Sequence, residues 1–281
     1  MVVMGTPVAD GRAAGSIPAR KGKIPDLPPN LLNPTPKRRK PSRRLTTITG
    51  MGSGVVGLIG GMSWESSAEY YRLLNTLVRE RDGGHHNARS LLLTVDFAEV
   101  EALQRAGDWA AAGRLLAAAA RRLEAGGADV VLLCTNTMHR VADAIEGAIG
   151  VPFLHLVDVT ADRVHAAGVR RVGLLGTRFT MEMDFYRDRM TARHGTEVLV
   201  PDEPGRTLVH DVIYDELTRG VVRDESRTAF LRVIDELGRR GAEAVVLGCT
   251  EIPLLVGPDE SPLPVFDSTR IHVEAALDAL R

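Results

Sequence analysis

Gly127-Ala128-Asp129-Val130-Val131-Leu132-Leu133-Cys134-Thr135 returns later in the chain as Gly241-Ala242-Glu243-Ala244-Val245-Val246-Leu247-Gly248-Cys249-Thr250, with the two cysteines 115 residues apart. Each copy runs from a glycine through an acidic residue and an apolar run to a cysteine and a threonine. A second pair repeats at almost the same offset: Val56-Gly57-Leu58-Ile59-Gly60-Gly61 matches Val172-Gly173-Leu174-Leu175-Gly176-Thr177, 116 residues on. Apolar runs of this length bounded by glycine read as strands buried on both faces. The duplication predicts two similar halves, each presenting one thiol at the carboxyl end of a strand.

Outward from these strands the chain alternates. In the first half, strands are expected at 54–59, 90–95, 128–133 and 152–156. Helices are expected from Ser63 or Trp64 to about Arg81, from an Asp108 cap to about Ala125, and from near Asn136 to about Ile149. The pattern restarts with helix 158–167 and strand 171–175. Helices then follow near 180–194, 206–219 and 224–240, with strands at 197–200, 245–247 and 263–266. Asp267 or Ser268 caps a last helix. This is the α/β class: two Rossmann-like lobes with parallel sheets related by a pseudo-twofold, and a site in the cleft between them. The expected division is 1–53 as an extension, 54–155 plus 265–281 as the first lobe, and 156–264 as the second.

Charge separates the extension from the body. Residues 1–53 hold ten Lys/Arg, two Asp/Glu and eight of the fifteen prolines, whereas the remainder carries a net charge of −9. Such a basic, Pro-rich stretch is expected to be disordered. It lacks the apolar segment of a secretory signal, and a start codon placed upstream of Met51 would account for it. An acidic body gives no reason to expect nucleic-acid binding. No apolar run approaches the roughly 20 residues of a membrane span. Two cysteines without a signal segment fit a reducing cytosol.

Either cysteine alone reads most simply as a small buried hydrophobe. Placed alike at two strand ends, Cys134 and Cys249 read instead as a base and an acid across one carbon. Backbone N–H groups at a following helix start would lower their pKa values. A disulfide or redox pair is the rival, without Cys-x-x-Cys spacing to support it. Asn136 and Thr137 after the first cysteine suit a carboxylate, or simply a helix cap. Thr250 and Glu251 after the second supply a hydroxyl and a group for an ammonium. Gly60-Gly61-Met62-Ser63 lacks the dinucleotide fingerprint and favours close approach to a small ligand, with Gly176-Thr177 as counterpart. His139 either tunes the thiol or packs. His85-His86 has no partners at metal-ligand spacing.

The segments Gly57-Leu58-Ile59-Gly60-Gly61-Met62-Ser63-Trp64-Glu65-Ser66, Cys134-Thr135-Asn136-Thr137-Met138-His139 and Gly248-Cys249-Thr250-Glu251-Ile252 resemble the cofactor-independent aspartate/glutamate racemases. Leu175-Gly176-Thr177-Arg178-Phe179-Thr180 and Leu263-Pro264-Val265-Phe266-Asp267 are similar to the aspartate/glutamate and broad-specificity amino-acid branch. The resemblance covers about 54–281. It implies inversion at Cα of a free amino acid with Cys134 and Cys249 as the two bases. It also implies neither pyridoxal phosphate nor metal, and a homodimer. Met62, Ser63, Asn136, Thr137, Thr177, Thr250 and Glu251 match substrate-cradle positions. Arg206 is the candidate for a distal carboxylate; if Leu208 holds that position instead, the substrate side chain is neutral. Related isomerases and decarboxylases reuse such a cleft. A thiol redox sensor or a silent binding protein is the alternative of another class.

Overall fold

The computed structural model describes residues 54–281. The Pro-rich extension and its expected disorder lie outside the described residues. The first half runs β1 (Val56–Gly60), α1 (Trp64–Asp82), β2 (Ser90–Thr94), α2 (Phe97–Ala106), α3 (Trp109–Ala125), β3 (Val130–Leu133), a 3-10 turn (Thr137–Val141) and α4 (Ala142–Glu146). The second half begins with α5 (Leu156–Ala166), β4 (Arg171–Gly176), α6 (Arg178–Glu182), α7 (Asp184–His194) and β5 (Glu197–Leu199). It continues through α8 (Glu203–Asp215), α9 (Asp224–Arg239), β6 (Ala244–Gly248), β7 (Val265–Asp267) and α10 (Ser268–Ala279).

Two parallel sheets result, ordered β2-β1-β3 and β5-β4-β6-β7. Their central strands are apolar on both faces because helices cover both. Leu58, Ile59, Leu132 and Leu133 are fully buried, and each such side chain contributes about 2 kcal/mol relative to an exposed one. Gly57 lets α3 sit close, since a Cβ there would meet Ala128 and Leu123. Gly61, at φ +99°, ends β1 in a turn where a side chain would collide with the Val95 carbonyl.

Helix ends follow local chemistry. The Asp108 carboxylate accepts from Ala111 N at 2.9 Å to start α3, and Asp267 accepts from Thr269 N and Arg270 N to start α10. α2 was not expected from the sequence; Asp96 caps it and Gly107 closes it in the left-handed conformation. The helix expected over 136–149 is shorter, a 3-10 turn followed by α4. The strand expected at 152–156 reduces to one bridge, Val131 to Phe153. The boundary at 265 also moves. β7 pairs with β6 in the second sheet, so the return to the first lobe begins with α10, whose Val273 and Ala276 pack with Val56, Tyr70 and Leu74.

Three buried histidines, His139, His155 and His272, surround the crossover from the first lobe to α5. Burial pushes all three below the ordinary imidazole value, His155 to about 3 and His272 to about 4. Their folded values lie below the unfolded one near 6.5. The stability they contribute is therefore complete above about pH 6.5 and is lost as pH falls toward 3–4. The urea midpoint is expected to be lower at pH 5 than at pH 7.5 with an unchanged denaturant slope. An equal midpoint at the two values would contradict neutral burial of these rings.

Candidate active site

The carboxyl ends of the two sheets open onto a shared cavity of about 560 Å³. From the first lobe it is lined by Met62, Ser63, Trp64, Ser66, Phe97, Thr135, Asn136, Thr137 and Met138, among others. From the second lobe come Thr177, Phe179, Thr180, Ile213, Tyr214, Cys249, Thr250 and Glu251. Seven of the expected substrate-cradle residues, from Met62 to Glu251, therefore meet in one place. The turn after β1 delivers Met62 and Ser63, and Ser63 caps α1 by accepting from Ser66 N at 3.2 Å.

The second lobe contributes a thiol held against a carboxylate. Cys249 Sγ donates to Glu251 Oε2 at 2.9 Å, and Thr250 Oγ1 donates to the same oxygen at 2.7 Å. Ser66 of α1 reaches across from the first lobe, with its hydroxyl 2.6 Å from Thr250 Oγ1 and 3.4 Å from Glu251 Oε1. Burial of such a carboxylate is tolerable because thiol and hydroxyl donors surround it. Opposite this group, Thr137 Oγ1 lies 3.5 Å from both Thr177 Oγ1 and Thr180 Oγ1. These hydroxyls and the Asn136 amide form a polar wall. Asn136 makes no capping bond with its side chain, and Ser268 Oγ donates to its Oδ1 at 3.4 Å.

Cys134 is not in the cavity. It is fully buried among Tyr70, Leu74, Leu132 and Val273. Strand register supplies the reason. Leu58 pairs with Leu132 in the first sheet, and its repeat counterpart Leu174 pairs with Val246 in the second. The structural offset between β3 and β6 is thus 114 residues, one fewer than the offset between the cysteines. Gly248 is the intervening residue: it matches Cys134, while Thr135 matches Cys249. A one-residue slip along a strand moves a side chain to the other face. Two thiols facing one atom is the sequence expectation that this geometry corrects. The cavity's first-lobe counterpart of Cys249 is Thr135.

The expected lowering of the thiol pKa values is corrected too. Burial pushes both thiols up, and the Glu251 carboxylate raises Cys249 further. The elements that follow them are 3-10 turns, Thr137–Val141 and Ile252–Leu254, too short to supply a strong helix-start field.

Arg206 does not line the cavity. Its guanidinium is engaged by Glu182, Glu203 and the Pro201 carbonyl on the outer side of α8. Leu208 also stays outside it, packing with the second-lobe core; Ile213 and Tyr214 are the α8 residues that reach the cavity. Among the described residues no Lys, Arg or His lines it. Ser66 was missed from sequence, although its position three residues after the Ser63 cap puts both hydroxyls on one helix face.

The Asp/Glu/Hydantoin racemase family model matches residues 59–276, and the chain belongs to that family. A candidate Asp/Glu racemase structure from Yersinia pestis is 49% identical, with a TM-score of 0.76, over 81% of this chain and 99% of that one. An aspartate racemase homologue from Pyrococcus horikoshii OT3 is 30% identical, with a TM-score of 0.73, over 80% of this chain and 98% of that one. A broad specificity amino-acid racemase of Bacillus subtilis is 25% identical over 149 residues, 53% of this chain and 63% of the relative. The family is one of racemases, an isomerase class acting on small amino-acid substrates. Among the described residues no helix is long and apolar enough to cross a membrane.

Iodoacetamide is expected to alkylate Cys249 alone in the folded protein and both cysteines after denaturation, read by peptide mass spectrometry. Glu251→Gln removes the charge that opposes thiolate, so the alkylation midpoint of Cys249 should move to lower pH. An unchanged or higher midpoint would contradict the thiol–carboxylate contact.

Proposed function

We propose that the cavity inverts Cα of a free amino acid with a neutral side chain, using Cys249 as the thiol base on one face. The observation that carries this reading is the Cys249–Glu251 pair in a cavity walled mainly by hydroxyls, amides and apolar side chains, with Glu65 and Asp96 as its other charged groups. The amino acid's ammonium group, held beside Glu251, offsets the carboxylate charge that otherwise opposes thiolate, and the thiol proton passes out to solvent. The thiolate then takes the α-proton. Charge spreading onto the substrate carboxylate is met by donors already in place: the Asn136 amide and the hydroxyls of Thr137, Thr177 and Thr180. Reprotonation on the other face passes through the Thr135 hydroxyl, which solvent resupplies. No step calls for a cofactor or metal. The family resemblance adds a homodimer, and two cysteines without a signal segment favour a reducing cytosol.

The substrate class rests on charge. A distal carboxylate in this cavity would face Glu65, Asp96 and Glu251 and no cation among the described residues, an arrangement that disfavours a second buried anion. Trp64, Phe97, Phe179, Ile213 and Tyr214 offer apolar surface instead.

Incubation of the protein with single L-amino acids in D2O, without added cofactor, should yield Cα-deuterated D-enantiomers. Neutral substrates should exceed aspartate and glutamate by at least about tenfold in kcat/KM, or about 1.4 kcal/mol. Failure across the whole panel would refute the racemase reading, and a preference for the acidic pair would refute the substrate class. Cys249→Ser is expected to lower inversion by about 10²–10⁴-fold, the range for a lost general base. Cys134→Ala should retain inversion while lowering stability by about 1–2 kcal/mol through the cavity it leaves. Lost inversion in folded Cys134→Ala protein would restore the two-thiol mechanism.

A further inference from the structure

His139 is almost fully buried, yet both of its ring nitrogens are occupied by backbone from opposite directions. Leu156 N, at the start of α5, donates to His139 Nε2 at 3.1 Å. An amide N–H only donates, so Nε2 carries a lone pair and the hydrogen sits on Nδ1. That hydrogen points at the carbonyl of Thr135, 2.8 Å away. An acceptor at Nε2 makes the ring neutral; burial, His155, His272 and Arg189 lower its pKa, against the opposite pull of the Thr135 carbonyl.

The two backbone groups belong to different parts of the machine. Thr135 lines the cavity and stands at the register position matching Cys249. Leu156 lies on the crossover that leads into the second lobe. That crossover is itself clamped. His272 Nε2 donates to Leu154 O at 2.8 Å, which leaves its Nδ1 to accept from Tyr70 Oη at 2.9 Å, and His155 Nδ1 accepts from Val157 N at 3.2 Å. On the cavity side, the Thr135–Thr137 turn has no side-chain cap; Asn136 lines the cavity while its Oδ1 accepts from Ser268 Oγ at 3.4 Å.

We propose that His139 is a positioning residue for the reaction, its Nδ1–H fixing the Thr135 carbonyl, and with it the Thr135-Asn136-Thr137 turn, against the clamped interlobe crossover. It does not touch substrate. It sets where the Thr135 hydroxyl and the Asn136 amide stand relative to Cys249. The inference rests on the reading of the cavity as a racemase site.

Two substitutions divide the ring's functions. In His139→Asn the amide nitrogen takes the place of Nδ1 and keeps a donor for Thr135 O, but nothing accepts from Leu156 N. In His139→Gln the amide oxygen takes the place of Nε2 and keeps an acceptor for Leu156 N, but the donor to Thr135 O is lost. Inversion and thermal unfolding are measured for each under conditions where circular dichroism shows it folded. Positioning predicts that His139→Asn melts lower yet keeps kcat within about threefold. It predicts that His139→Gln melts closer to wild type yet loses about tenfold or more in kcat, with a smaller change in KM. Activity that follows stability in both variants, or wild-type kcat in His139→Gln, would overturn the proposal. In wild-type protein labelled with ¹⁵N-histidine and ¹³C-carbonyl threonine, NMR should report Nδ1 protonated and Nε2 unprotonated, with a coupling across the bond to the Thr135 carbonyl. The opposite tautomer, or no such coupling, overturns it whether or not either variant folds. Wild-type protein that inverts no amino acid while showing this tautomer and coupling would instead count against the racemase reading.

Discussion

The hydrogen bond from Cys249 to Glu251 is the contact around which the cavity is organised. A carboxylate this buried needs several donors, and it draws them from both halves of the chain: Cys249 and Thr250 from the end of β6, and Ser66 from α1. The lobes are therefore joined at the site by the same group that governs the thiol. That group also fixes the resting state, since its charge and the surrounding burial keep the thiol protonated until a compensating cation arrives. In the proposed mechanism the substrate's ammonium group supplies one.

The duplication builds the two walls but does not make them chemically alike. Equivalent strands, β1 with β3 and β4 with β6, pair in the same parallel pattern, yet one extra residue, Gly248, precedes the second cysteine. On the first wall the cysteine falls in the strand alternation, where it packs beside Tyr70 and Val273. On the second it falls one step beyond, at the cavity. A thiol and a threonine hydroxyl consequently occupy matching positions. The asymmetry is a property of backbone register, and the buried histidines at the crossover keep that register's output fixed relative to the second lobe.

Most of the fold was legible because it rests on periodicity and caps: apolar strands between glycines, the Asp108 and Asp267 caps, and the near-exact internal repeat. α2 escaped because its short amphipathic face, with Val100 its fully buried residue, gives little period to read. The 136–149 segment was overextended because the polar cluster after β3 serves the cavity rather than a helix start. At the site, residue types in the flanking motifs were legible and their facing was not. Matching the cysteines by sequence offset placed them on opposing walls; matching the strands by hydrogen-bond register placed only one there. Arg206 looked available as a cation because one partner, Glu182, comes from the separate helix α6, although Glu203 at i−3 on its own helix was readable as the other.

The asymmetry between the two walls has one direct readout: exchange of the α-hydrogen without inversion, followed separately from each enantiomer in isotopically labelled water. A thiol returns a solvent-derived proton to its own face far more readily than a threonine hydroxyl does. Exchange with retention is therefore expected from only the enantiomer whose α-hydrogen faces Cys249. Comparable exchange with retention from both enantiomers would mean two equivalent bases and would contradict the single-thiol account.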